Sequence, residues 1–392
     1  MTNSKARKRP LGTLFSIVVV DLVGFGIVVP VLPFYLTDFD VRETDLGLVL
    51  GVLVCCYAAM QFVFAPLWGR LSDRIGRRPV LLMTIAGTSA ALLVVGLAPS
   101  LVWLFVARLA GGVFAANISV ASAYITDVTA EGERTRWMGV LGACFAVGFT
   151  LGPVLGGLLS RYGHGVPMLV AAGLAAVNLC WASLVLREPE VHRVRDTARE
   201  RESVLSSARV RRILWANLFF SLAVTQLETV FALLMMRRFG YDALDVAMIL
   251  VLMAVVMGAI QGGGMRALAV RFGERGLLQS GMLLMAFAFL AIPFSDTVAI
   301  LLVPLLVSAV GRGIGQPSMM SLASSYASAN TRGAVMGAFS SRAALARALA
   351  PIPAGLLFDL SMAGPFLLAA AFVVVTFALC GRMPARVGDT EE

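Results

Sequence analysis

Charged residues are scarce in this chain, and so are the motifs of catalysis. Only 14% of the 392 residues are Asp, Glu, Lys or Arg, whereas 59% are hydrophobic, and the mean hydropathy is +0.86. This balance excludes a soluble domain and indicates an integral membrane protein. The sequence also lacks the phosphate-binding GxxxxGK(S/T) loop, which argues against an ATP-driven pump. We predict neither an enzyme nor a bound cofactor.

Cysteine and histidine are rare as well. The five cysteines lie in apolar stretches without metal-ligand spacing or pairing in polar loops: Cys55, Cys56, Cys144, Cys180 and Cys380. We therefore expect packing residues, with no disulfide framework and no metal site. The two histidines, His164 and His192, fall in predicted loops. A carboxylate is then the only side chain expected to carry a proton inside the membrane.

What the chain does have is long apolar segments. Segments of roughly 18–25 residues, the length that a hydrocarbon core requires, recur about twelve times. They occupy approximately residues 11–35, 46–68, 79–98, 101–125, 136–159, 166–186, 213–236, 244–265, 277–295, 298–324, 334–358 and 363–382. No alternating strand pattern appears, so these segments are predicted helices. We predict an all-α integral membrane fold with twelve transmembrane helices in two pseudo-symmetric six-helix bundles.

The basic residues orient the chain, because Lys and Arg accumulate in cytoplasmic loops. With the amino terminus inside, only four of the 32 basic residues fall in predicted external loops: Arg42, Arg161, Arg237 and Arg238. An even number of crossings then places both termini in the cytoplasm. This asymmetry explains the net charge of +9, and we predict no nucleic-acid partner. The first apolar segment is too long for a signal peptide, and we expect it to be retained.

One long polar segment divides six predicted crossings from six. We predict an N-terminal bundle over residues 1–187, a cytoplasmic linker over 188–211 and a C-terminal bundle over 212–392. The two halves also resemble each other, with Gly139 aligned to Gly337, Pro153 to Pro351 and Gly157 to Gly355, each 198 residues apart. Two such repeats facing one cavity are typical of proteins that rock between two states.

Five local motifs lie in the N-terminal half. They are Asp21-x-x-Gly24-x-Gly26-x-x-x-Pro30-Val31-Leu32-Pro33, Gly69-x-x-x-Asp73-Arg74-x-Gly76-Arg77-Arg78, Arg108-x-x-Gly111-Gly112, Ala123-Tyr124-x-x-Asp127, and Gly139-x8-Gly148-x3-Gly152-Pro153-x2-Gly156-Gly157. In these motifs the chain resembles the major facilitator superfamily, and within it the drug/proton antiporter branch with its tetracycline-type efflux proteins. The last motif is the antiporter motif of that branch.

The resemblance implies a secondary active transporter that exports a small amphiphilic or drug-like molecule by proton antiport through alternating access. It implies a multi-pass protein of the cell inner (plasma) membrane with a link to drug resistance. The expected partners are a small-molecule substrate, protons and the lipid bilayer, and we expect a monomer.

The resemblance also implies a conformational latch around the loop between the second and third helices. An acid there would be favoured near the N-terminus of the eleventh helix, and a contact made in only one state biases a two-state cycle. The predicted latch residues are Gly69, Asp73, Arg74, Gly76, Arg77, Arg78, Asp127 and Arg342. In the antiporter motif, glycines one turn apart allow close helix packing, and Pro153 permits a kink.

Ionisable groups inside a membrane span are costly and usually mark pathways or paired sites. Asp21 and Glu228 are the acids at such depth, and we predict that one of them couples protons. The alternative is that either acid only neutralises an arginine. The predicted substrate cavity contains basic and amide side chains: Arg108, Asn117, Gln61, Gln226, Gln261, Arg312 and Arg347.

Two other functions stay open. The interior parts of the predicted crossings contain two acids and four arginines: Arg108, Arg312, Arg342 and Arg347. The resulting positive charge of the interior suits an organic-anion facilitator or symporter. A non-transporting membrane receptor or sensor on the same scaffold is the other alternative. A long soluble appendage would favour the receptor, and the sequence shows none.

Overall fold

The computed structural model describes residues 2–129, 131–189, 204–328 and 331–381, and these residues are helical with short connections and no strand. Most of the predicted linker, together with His192, lies outside the described residues. We number the helices along the chain. They are α1 (Thr2–Leu36), α2 (Leu46–Ile75), α3 (Arg77–Gly96), α4 (Leu101–Phe114), α5 (Asn117–Val128), α6 (Glu131–Ser160), α7 (Val166–Val185), α8 (Ala208–Phe239), α9 (Ala243–Ala259), α10 (Met265–Ala291), α11 (Val298–Ser325), α12 (Arg332–Leu349), α13 (Pro351–Leu360) and α14 (Gly364–Gly381).

Twelve helical segments in the described part of the chain are long and apolar enough to cross a membrane. This confirms the all-α fold with twelve crossings. Helices α4 and α5 together form the fourth segment, Leu101–Val128, and α12 and α13 form the eleventh, Arg332–Leu360. A π-helical turn, Ile260–Gly264, joins α9 to α10.

The fourth segment is broken, although its apolar pattern predicts one continuous helix. Ala115 and Ala116 leave the helical conformation between α4 and α5. A break deprives carbonyl groups at the end of α4 of their intrahelical partners. Two side chains of α2 satisfy them: Gln61 Nε2 donates to the Ala115 carbonyl at 2.9 Å, and Trp68 Nε1 donates to the Val113 carbonyl at 2.6 Å.

The described residues form two compact units. The first unit contains residues 1–42, 56–194 and 240–251, and the second contains residues 43–55, 195–239 and 252–392. The units are therefore not simply the two halves of the sequence, because the start of α2 packs in the second unit and the start of α9 in the first. The six-plus-six division of the chain stays a prediction.

The internal repeat is visible in side-chain contacts within each unit. In the first unit Arg78 Nη2 donates to the Ser183 carbonyl at 2.6 Å, and in the second Arg275 Nη2 donates to the Gly381 carbonyl, also at 2.6 Å. Both arginines follow a glycine with positive φ, Gly76 at 106° and Gly273 at 67°. The same turn thus fastens the third helix of each repeat to the last one.

Helix α6 packs against α1 through glycines of the antiporter motif. A Cβ atom at Gly152 would lie 2.5 Å from the Gly26 Cα atom, and one at Gly148 would lie 2.5 Å from the Leu22 Cβ atom. Gly157 faces α9, where a Cβ atom would lie 2.7 Å from the Leu244 Cα atom. Gly139 lies on α6 at a position whose packing is outside the described contacts. Gly148, Gly152 and Gly157 are therefore positions where helices approach closely.

We predict that Gly152→Leu destabilises the protein by roughly 1–3 kcal/mol, because the added side chain forces the backbones of α1 and α6 apart. Gly142, on the same helix, has no atom within 4 Å of a built Cβ, so Gly142→Leu is the matched control. Thermal or denaturant unfolding in detergent measures both. Equal stabilities of the two variants would show that α1 and α6 are not tightly packed at Gly152.

Candidate functional site

Asp21 lies within the first crossing and is held by an amide. It is partly buried on α1, and Asn117 Nδ2, at the first position of α5, donates to Asp21 Oδ1 at 2.7 Å. Asn117 Oδ1 has no hydrogen-bond partner among the described residues. No described arginine or lysine forms an ion pair with Asp21. Asn117 directly follows the break between α4 and α5.

Arg108 lies on α4 and is 8% exposed. Its guanidinium carbon is 4.3 Å from the centre of the Tyr57 ring, a cation–π arrangement. Within the described part of the chain no acid pairs with Arg108, and its Nε atom has no hydrogen-bond partner. Among the described residues, the aromatic face of Tyr57 is therefore what compensates the charge of this buried cation.

These two groups are linked through aromatic rings of the first unit. Phe25 lies one turn after Asp21 on α1, and the centres of the Phe25 and Tyr57 rings are 6.0 Å apart. We call Asp21, Asn117, Phe25, Tyr57 and Arg108 the first-unit cluster. It combines an acid, a base and aromatic faces, the side-chain types that bind an amphiphilic molecule with polar groups.

In the second unit, an interior acid and an interior arginine are paired with each other. Glu228 on α8 and Arg312 on α11 form an ion pair with an O–N distance of 2.7 Å. The two side chains are 43% and 33% exposed, respectively. Glu228 therefore neutralises an arginine, which is one of the two roles left open for these acids. Asp21 has no such partner in the part of the chain that the structure describes.

The predicted cavity amides have separate positions. Gln61 is used at the break between α4 and α5. Gln226 is fully buried, and its Nε2 atom lies 3.4 Å from the Ala350 carbonyl between α12 and α13. Gln261 is exposed in the π-helical turn, and Arg347 is exposed in the last turn of α12. Gln61 thus supports irregular backbone, a role that its position in an apolar segment did not indicate.

Arg77 is the centre of the turn between α2 and α3. Its Nε atom is 2.8 Å from Asp127 Oδ2, and its Nη1 atom is 2.6 Å from Asp73 Oδ1. The Arg77 and Asp127 side chains are each 10% exposed, whereas that of Asp73 is 60% exposed. The structure therefore contains the Arg77–Asp127 pair in a buried position, with Asp73 at its exposed edge.

The other predicted latch residues have separate positions. Arg74 is exposed in the last turn of α2, and a Cβ atom at Gly69 would meet nothing within 4 Å. Arg342, on α12, lies with its guanidinium carbon 4.9 Å from the centre of the Trp215 ring. Gly76 and Arg78 belong to the turn that recurs in both units.

Glu188 completes the turn and was missed by sequence reasoning, which assigned it to the linker. Its carboxylate accepts hydrogen bonds from the backbone N–H groups of Arg77 and Arg78, the first two residues of α3. A carboxylate at this position satisfies unpaired N–H groups and is favoured by the helix dipole. In the sequence, Glu188 is only an acid directly after the apolar sixth crossing. Nothing near it shows that it binds the N–H groups of Arg77 and Arg78, more than 100 residues earlier in the chain.

Comparison with known proteins places this chain among transporters. The sequence profile of the Major Facilitator Superfamily matches residues 14–351. The class H tetracycline resistance protein of Pasteurella multocida is 31% identical over 358 residues, covering 89% of each chain. The class D tetracycline resistance protein of Salmonella ordonez is 30% identical over 394 residues, covering 97% of this chain and 99% of its own. The crystal structure of the human organic anion transporter MFSD10 (TETRAN) aligns with a TM-score of 0.72 at 25% identity, covering 95% of this chain and 99% of that one.

We predict that Asp127→Asn destabilises the protein by about 3 kcal/mol, because it leaves the buried Arg77 charge without its buried partner. Asp73→Asn, which removes the exposed partner of the same arginine, is expected to cost about 1 kcal/mol or less. Unfolding midpoints of the purified variants give the comparison. Equal losses, or a larger loss for Asp73→Asn, would contradict the assignment of Asp127 as the structural partner.

Proposed function

Because this chain belongs to the major facilitator superfamily, we propose that it exports a small amphiphilic, drug-like molecule in exchange for protons by alternating access. The chain is a multi-pass membrane transporter of the inner membrane and is not an enzyme. The tetracycline resistance proteins among its relatives support a drug as substrate. The internal repeat supports alternating access, in which two similar repeats expose the substrate site first to one side of the membrane and then to the other.

The observation that carries proton coupling is the environment of Asp21. Burial in a membrane span disfavours the charged form of a carboxyl group, and no described cation compensates it here. Asn117 suits both protonation states: its Nδ2 donates to the carboxylate, and its unpartnered Oδ1 can accept from a protonated carboxyl after a rotation of the amide. We propose Asp21 as the proton carrier.

Glu228 is the second candidate. Glu228 forms an ion pair with Arg312 at 2.7 Å. A substrate anion that binds Arg312 would compete with Glu228 for the arginine. We therefore propose that the role of Glu228 depends on bound substrate, whereas the role of Asp21 depends on its own exposure to water.

We propose that the substrate contacts the first-unit cluster. Within the second unit, Arg312, Arg347 and Gln261 remain our predicted substrate-binding residues. Asp73 acts in a conformational latch, since its exposed side chain can exchange partners while Arg77 and Asp127 stay paired. The antiporter-motif glycines hold α6 close to α1 and limit leakage along that face. We also propose that both termini lie in the cytoplasm and that the protein works as a monomer.

An organic anion is the second candidate substrate class. The observation that favours it is Arg108, which is buried without an acidic partner in the described residues and has a free Nε donor. A carboxylate or phosphate would complete its hydrogen bonds, and the Tyr57 and Phe25 rings would contact an adjacent apolar group. The relative MFSD10 is described as an organic anion transporter.

We predict that Asp21→Asn abolishes accumulation of tetracycline driven by a pH gradient in proteoliposomes but leaves exchange of labelled for unlabelled tetracycline. The amide keeps the size of the side chain and removes its capacity to release a proton. Asp38→Asn is the control, since Asp38 is on the same crossing, 45% exposed beside His164. If both Asp21→Asn and the double variant with Glu228→Gln accumulate substrate with the pH gradient, coupling through these residues is wrong.

We predict that Arg108→Gln distinguishes the substrate classes. For an anionic substrate, the KM rises roughly tenfold, a loss of about 1.4 kcal/mol of binding, while a cationic compound of similar shape is little affected or improves. The measurement is transport of a matched anionic and cationic pair by the parent protein and the variant. An equal loss for both compounds would assign Arg108 to structure instead of charge recognition.

A further inference from the structure

Helix α2 is continuous from Leu46 to Ile75, but its residues divide between the compact units. Residues up to Cys55 pack in the second unit, and residues from Cys56 onwards pack in the first. The only proline within α2 is Pro66, beyond this division. A cycle that moves one unit against the other must therefore bend α2 near Cys55 or release its first turns from the second unit.

The first turns of α2 meet the eleventh crossing through backbone atoms. A Cβ atom at Gly47 would lie 2.5 Å from the Gly355 carbonyl oxygen, and a Cβ atom at Gly51 would overlap the Pro351 carbonyl oxygen. One turn further, Cys55 Sγ donates to the Ala348 carbonyl at 3.0 Å. We call these three contacts the α2 seam. All of its residues belong to the second unit.

Asp359 closes the seam at the first turn of α2. Its carboxylate accepts hydrogen bonds from the backbone N–H groups of Gly47, at 3.0 Å, and Leu48, at 2.7 Å. The same carboxylate is 3.1 Å from Arg237 Nη1, and its side chain is only 8% exposed. A carboxylate on unpaired N–H groups at a helix N-terminus is favoured by both hydrogen bonding and the helix dipole.

We propose that Asp359 and the α2 seam are a closing contact at the end of α2 opposite Gly76, made in the described state and released when the first turns of α2 leave the second unit. The proposal rests on the alternating-access cycle proposed above. Asp359 is a positioning residue in it, because it holds a helix and does not touch substrate.

Two features allow this contact to be reversible. The seam joins backbone to backbone at glycines, so few interlocked side chains must repack when it opens. Arg237 Nη2 is buried and has no hydrogen-bond partner among the described residues. That donor can take the carboxylate oxygen that Leu48 releases, and the Asp359 charge stays paired in the open state, which avoids the cost of an unpaired buried charge.

Cys55 provides a native reporter of the seam. In a variant whose other four cysteines are replaced by alanine, the alkylation rate of Cys55 by a small water-soluble maleimide measures how often the seam opens. The experiment uses the full-length protein in detergent, without substrate or a pH gradient. Its result is therefore independent of the proposed transport function, and a failure of one does not imply a failure of the other.

We expect Asp359→Asn to raise the Cys55 alkylation rate about tenfold, which corresponds to about 1.4 kcal/mol. Asp296→Asn is the matched control, because Asp296 also pairs with an arginine, Arg238, at 2.9 Å but is 86% exposed, and its rate should not change. Arg237→Gln should not raise the rate, because Arg237 stays paired with Asp359 in both states. A folded Asp359→Asn variant with a rate within twofold of the parent would overturn the proposal.

If Asp359→Asn does not fold, Gly355→Ala carries the test. Its methyl group would overlap the Gly47 carbonyl oxygen, whereas a Cβ atom at Gly337, on the same crossing, meets nothing within 4 Å. We expect faster alkylation of Cys55 in Gly355→Ala and the parent rate in Gly337→Ala. Equal rates in these two variants would also overturn the proposal.

Discussion

A charge inside a membrane crossing must be compensated within the protein, and the arrangement of this structure depends on how each charge meets that requirement. Arg77 has the buried partner Asp127, Glu228 has Arg312, and Asp359 has Arg237 together with two helix N–H groups. Asp21 and Arg108 differ from these, with an amide and an aromatic ring as their respective partners among the described residues. Full compensation stabilises a charge in one state, whereas partial compensation leaves it ready for a proton or a ligand. This difference is why we place function at Asp21 and Arg108.

Close backbone contact is the second constraint, and it explains which glycines matter. Gly152 on α6 and Gly355 on α13 leave no room for a methyl group, whereas Gly142 and Gly337 on the same crossings do. The tight positions lie where α6 meets α1 and where α2 meets α13. Lipid provides no hydrophobic drive for helices to associate, so contact area and hydrogen bonds decide where they pack. The same glycines that permit tight packing also permit separation without side-chain repacking.

The sequence was sufficient for properties that depend on local composition. Hydropathy predicts the crossings because each is a continuous apolar segment, and the spacing of the antiporter motif places its glycines along one helix.

Contacts between residues that are distant in sequence could not be predicted in this way. Glu188 looks like the start of a linker, and Asp359 like an acid at a helix end, until the fold brings each to a helix N-terminus. The helix break before Asn117 was missed for a related reason. The carbonyl groups that this break leaves unpaired accept hydrogen bonds from Gln61 and Trp68, which lie on another helix. That Gln61 donates to the carbonyl at this break could not be predicted either, because an apolar segment does not show which backbone group needs a donor.

Proton antiport is the central claim, and the pH inside proteoliposomes tests it most directly. Tetracycline added outside vesicles that contain the protein should enter in exchange for protons, so the lumen becomes more alkaline. Vesicles that contain the Asp21→Asn variant correct for passive entry of the drug and should show no such change. A lumen pH that rises with substrate only in the parent vesicles is the predicted result. Substrate entry through the parent protein without any protein-dependent change in lumen pH would contradict proton antiport.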